Sequence, residues 1–152
     1  MNATKQKQQS KEDFFFNEIY KNAKMGADTV INILPRIKND ALRSIVTMQL
    51  DGYEKYAAHA AGALAERGLC AKEENVVARV TARIGVALGT MVDSGTGRIA
   101  EIMIDGSNMC ITEMTKLINE HEAQKCAKHA AALAREMVRF EEQNLALLKS
   151  YL

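Results

Sequence analysis

Tryptophan is absent from this 152-residue chain, Phe and Tyr together supply only 5% of it, and there is a single proline. A core with so little aromatic volume has to be aliphatic, built from Ala, Leu, Ile, Val and Met. Ala, Leu and Met are strong helix formers, and proline, the residue that most often breaks a helix, is all but missing. The chain also lacks a dominant charge: its formal net value of +1 gives no electrostatic footprint for nucleic acid or for an anionic membrane surface. Lys5, Lys7 and Lys11 lie in the polar first stretch, but they are few and have no aromatic stacking platforms beside them. Cys70, Cys110 and Cys126 are odd in number and contain no C-x-x-C pair, which argues against a zinc knuckle or a dithiol redox motif. They read as reduced thiols of a cytoplasmic protein. No apolar run approaches the ~18 residues of a membrane span, and the polar opening MNATKQKQQSKED lacks the hydrophobic region of a signal peptide.

What is present is enough for one all-α domain. Apolar residues make up 47% of the chain, sufficient to bury a core, and a domain of this length buries roughly two-thirds of its unfolded surface. Residues 1–10 read as a disordered leader. Ser10 and Asp13 resemble a capping box opening a first helix over about 11–34, with Phe15, Ile19, Met25, Val30 and Ile33 on its apolar face. Phe14, Phe15 and Phe16 are consecutive, so they fan over about 200° of the helix and at least one should meet another element or another subunit. Pro35 ends this helix, Asn39 or Asp40 caps a second over about 38–67, and Gly68 stops it. A helical crossover is expected over 73–104, where Gly85 and Gly89 sit one turn apart and offer a bare surface for close helix packing. Gly95-Thr96-Gly97-Arg98-Ile99-Ala100 matches a dinucleotide fingerprint in form, but the chain offers no strands to precede it. Asp105-Gly106-Ser107 reads as a break before a helix over about 107–122, and the last helix spans about 126–152.

Within the second helix, Met48 to Leu64 is the stretch where polar groups concentrate. Gln49, Tyr53, Tyr56 and Ala60 fall on one stripe at helical spacing, with Glu54 and Ala57 beside it and His59 further round. Tyrosines on such a stripe are expected to be core aromatics whose hydroxyls reach a partner.

Two long helices, a connection of more than thirty residues and two more helices joined by a tight turn resemble the ferritin-like superfamily, particularly small bacterial members with a partly helical crossover. The resemblance covers about residues 11–152. It implies an antiparallel four-helix bundle with a long crossover between bundle helices two and three. The family's di-iron centre takes one Glu from each of two helices and Glu-x-x-His from each of the other two. If the turn near Arg36 is a mirror, Glu18 falls level with Glu54, and Glu120 and Glu136 lie at a broadly similar height. The histidine positions are not kept: Ala57 stands three after Glu54, and Arg139, which cannot ligate a metal, stands three after Glu136.

Three functions are therefore expected, the third being a ligand-binding bundle whose cavity lies between the glycine-bearing helix and the tyrosines. The first is a non-enzymatic ferritin-like bundle without an intact di-metal centre or cofactor, self-associating as a homodimer or larger homo-oligomer in an interaction or structural role. The second is a carboxylate-rich iron protein with ferroxidase, storage or peroxide-handling activity. There Glu18, Glu54, Glu120 and Glu136 would be ligands, with His121 or His129 supplying nitrogen. The surplus Phe surface and the broken histidine positions favour the first.

Overall fold

A computed structural model describes residues 2–72 and 95–152. Helix α1 runs Asn2–Ile33, α2 Asp40–Ala65, α3 Thr96–Gln124 and α4 Lys128–Lys149, with a 3-10 turn at Leu34–Arg36. No strand occurs among the described residues; the fingerprint-like Gly95–Ala100 opens α3, and the residues before Gly95 where its strand would fall lie outside the described residues. None of these helices is long and apolar enough to cross a membrane. Gly85, Gly89 and the valine-rich positions of the expected crossover, Val76 to Val92, lie outside the described residues.

The periodicity of the sequence explains the core. Phe15, Ile19, Ala23 and Val30 of α1 face Leu42, Val46, Tyr53, Ala60 and Leu64 of α2. Ile99, Met103, Cys110 and Met114 of α3 and Ala130, Ala134, Met137 and Leu148 of α4 complete the same cluster. Heights along α1 and α2 are set by direct contacts: the Arg67 guanidinium donates to both Glu12 and Asp13 at 2.6 Å, while Gly26 meets the Tyr53 ring. Along α3 and α4, Gly97 faces the backbone of Tyr151, Ser107 meets Glu141, and Glu122 pairs with Arg135. Lys11 of α1 reaches Gln124 at the far end of α3.

Helix ends follow local chemistry. The Asn39 side chain accepts from the Leu42 amide at 2.9 Å, capping α2. At its other end Gly68 takes φ +73°, a conformation open to glycine without a Cβ penalty. There the Gly68 and Leu69 amides donate to Ala65 and Leu64, satisfying carbonyls that the helix leaves over. Between α3 and α4, Lys125 turns through φ 51°, and the Ala127 amide donates to His121 Nδ1 at 2.7 Å. That bond gives the buried His121 a structural task.

Three boundaries differ from the sequence-based expectation. Residues 2–10 are helical, although every side chain there is exposed, so α1 starts well before Ser10. Asp105-Gly106-Ser107 is no break: α3 passes through it, which places 96–104 in a bundle helix instead of a crossover. The chain also continues as a 3-10 turn after Ile33, so it reverses nearer residue 39 than Arg36. That last difference shifts the register between the first two helices.

Candidate functional site: a buried polar layer

Each of the four described helices buries polar side chains: Asn22 and Thr29 from α1, Gln49 and Tyr53 from α2, Ser107 from α3, Glu141 and Asn144 from α4, of which Tyr53, Ser107, Glu141 and Asn144 meet at one point. Glu141 is the centre, at 1% exposure. Its Oε2 accepts from the Ser107 hydroxyl at 2.7 Å, from the Tyr53 hydroxyl at 2.9 Å and from the Asn144 amide at 3.3 Å. All three donors are neutral. The other oxygen, Oε1, is buried with no hydrogen-bond partner among the described residues, as are both amide atoms of Gln49.

Helix packing holds this arrangement in place. The Tyr53 ring meets Phe140 edge-on, with centroids 5.3 Å apart, and packs closely against Gly26. A Cβ at Gly26 would sit 2.6 Å from two carbons of the ring, so glycine is required for α1 and α2 to approach. Asn22 and Thr29 are already engaged with their own helix: the Asn22 amide donates to the Glu18 carbonyl and the Thr29 hydroxyl to that of Met25. They line, with Met25, Tyr53, Met103, Cys110 and Glu141, a small cavity offering about 20 Å³ to the centres of water-sized spheres.

Burial, followed by the charge of Glu141, pushes the Tyr53 hydroxyl well above its usual 10.0 and the Cys110 thiol well above 9.0. Both groups are thus protonated at neutral pH. Tyr53 is a donor, and Cys110 is not poised as a nucleophile, because the thiolate is the reactive form.

The ligand set implied by the ferritin-like resemblance falls elsewhere. Glu54, Glu120 and Glu136 are exposed to solvent. Glu18 is half-buried and pairs with Lys21 at 3.2 Å. The register that sets Tyr53 against Gly26 puts Glu54 about seven residues, or about 10 Å of helix rise, from the level of Glu18, so the mirror at Arg36 does not hold. His121 caps the turn before α4, and His129, although largely exposed, lies 3.3 Å from Glu12. Among the described residues no three His, Cys, Asp or Glu side chains group so as to hold a metal ion. These residues therefore do not fit a di-iron centre.

The polar layer itself had a trace in the sequence. Glu141 is four after Met137 and seven before Leu148, a carboxylate on an apolar stripe, and Asn144 follows one turn later. Ser107 and Cys110 hold the same position on α3 between Met103 and Met114. Their convergence on one oxygen had none.

Comparison of the chain with protein-family models, with curated proteins and with solved structures gives no match.

Proposed function

We propose that this chain is a ferritin-like four-helix bundle that associates with copies of itself, a non-enzymatic interaction or structural module with a hydrogen-bonded polar layer inside it. The helix directions support the fold reading. Contacts at rising positions of α1 meet falling positions of α2, and the same relation links α3 to α4 and α1 to α3. Helices α2 and α3 then run the same way, which is what a long crossover serves in such bundles.

One observation carries the association. Of the three consecutive phenylalanines, Phe15 and Phe16 are buried at 3% and 4% exposure, whereas Phe14 is 56% exposed. Phe14 sits on the wall of a groove of ≈160 Å³ between α1 and the α3–α4 turn, with Phe15, Leu117, Cys126 and Ala127 as its apolar lining. An aromatic side chain on the rim of an apolar groove is the kind of anchor and pocket from which protein interfaces draw their binding energy. A second copy can offer both the ring and the groove, and a pairing in which each fills the other closes with twofold symmetry.

Light scattering across micromolar concentrations tests the reading. A dimer or larger species is expected for the natural chain, and a monomer for Phe14→Glu. A clean monomer of the natural chain would sink it.

A further inference from the structure

We propose that the cavity at the buried polar layer binds one soft monovalent metal ion, Cu(I), through the Cys110 sulfur and the Met25 and Met103 thioethers, with the Glu141 carboxylate facing it. Four observations meet there. Three of the side chains around this one cavity carry sulfur, drawn from two helices, α1 and α3. About 20 Å³ of space for water-sized centres is ample for a single occupant, since a water needs roughly 10–15 Å³ on that measure. Glu141 lines the same cavity, is 1% exposed and leaves Oε1 without a hydrogen-bond partner among the described residues. Its remaining oxygen is already saturated by three neutral donors, so the free oxygen is held in a fixed orientation.

The donor chemistry selects the ion. Calcium takes six to eight oxygens and magnesium a near-ideal octahedron of them, and this wall offers neither. Structural zinc takes Cys, His and carboxylate ligands, usually four, and only Cys110 and Glu141 qualify here. Thiolate combined with thioether is the ligand set that favours Cu(I). The charge also balances. In the metal-free protein Cys110 holds a proton beside Glu141. Forming the Cu(I)–sulfur bond breaks the S–H bond and sends that proton to solvent, so one positive charge replaces another and no electron moves. The buried layer keeps the same net charge in both states.

The probe is Cu(I) itself, supplied anaerobically in competition with a chromophoric Cu(I) chelator, to the full chain carrying Cys70→Ser and Cys126→Ser. Cys70 is exposed and Cys126 is half-buried at the edge of the core, away from the cavity, so replacing them removes competing thiols without touching the proposed ligands. The expected result is one Cu(I) per chain, ultraviolet Cu(I)–thiolate absorption, and release of one proton per ion in weak buffer. Zinc at equal concentration should not displace it. Met103→Leu and Met25→Leu keep side-chain volume and should each weaken binding by at least about tenfold, an effect that partners one shell further from a metal already produce. Absence of Cu(I) binding by the Cys70/Cys126 variant overturns the proposal, and so does binding that neither methionine substitution weakens. The readouts do not depend on oligomeric state, so failure here is separable from failure of the self-association reading.

Discussion

Two carboxylates are buried among the described residues, and their surroundings differ. Glu12, at one end, lies between Arg67 at 2.6 Å and His129 at 3.3 Å, and Arg67 also spans to Asp13 while stacking over Phe16 at 5.1 Å. Glu141, at mid-height, has hydroxyl and amide donors on one oxygen and, among the described residues, no hydrogen-bond partner on the other. The first is a closed account of charge: a guanidinium fork joins the turn that follows α2 to α1 and fixes their register. The second is open, because burying a carboxylate oxygen without a partner carries a penalty that packing alone does not recover. The difference teaches where to look. A saturated buried ion pair holds structure together, whereas a buried polar group with spare capacity marks a place where something else can bind.

Breaking each carboxylate's surroundings in turn should separate these roles. The largest effect is expected for Glu141→Ala, which opens a cavity and leaves the Tyr53, Ser107 and Asn144 donors without their shared acceptor. About 4 kcal/mol should be lost in urea unfolding. A loss under about 1 kcal/mol would mean that the layer relaxes freely. Next is Arg67→Ala, which strips Glu12 of its closest cation at a partly exposed site and should cost about 2 kcal/mol. Addition of salt should shrink that loss more than the loss at Glu141, since screening acts on ion pairs near the surface.

A smaller change, about 1.5 kcal/mol at neutral pH, is expected for Tyr53→Phe, which removes one donor and keeps the ring. This variant also tests the alkaline limb of stability. The folded protein holds the Tyr53 proton more tightly than the unfolded chain does, through burial and the charge of Glu141. The folded state therefore binds more protons above the unfolded value near 10.0, and stability should be full below that pH and fall as pH rises past it. In chemical denaturation at stepped pH, Tyr53→Phe should flatten that fall; an unchanged slope would remove Tyr53 as its cause. The smallest effect should be a gain: Gln49→Met keeps volume and deletes two buried amide atoms that lack partners. It should stabilise the bundle by about 1 kcal/mol.

Much of the fold was legible because helices announce themselves locally. Spacing of Leu42, Val46, Tyr53, Ala60 and Leu64 marks one buried face, Asn39 marks a start, and Gly68 marks a stop. That at least one of Phe14, Phe15 and Phe16 leaves the seam was legible in the same way, since three consecutive rings cannot share it; only the structure identifies that one as Phe14. The helical run of 2–10 was not, since its composition is polar throughout and shows no apolar period to read. Nor was the passage of α3 through Asp105-Gly106-Ser107, where residues that favour turns are carried by packing on either side.

The site was legible only as separate parts. Tyr53 was expected to send its hydroxyl to a partner, but that partner is 88 positions away, on another helix. Sequence by itself determined that the chain forms amphipathic helices with aliphatic faces, and where several of them begin and end, because those properties depend on neighbours within a few residues. Tertiary structure decided the rest. The height at which α1 meets α2 separates Glu18 from Glu54, and the crossing of four stripes gathers Ser107, Tyr53 and Asn144 onto Glu141. Register and convergence depend on contacts between distant residues, which no local pattern encodes.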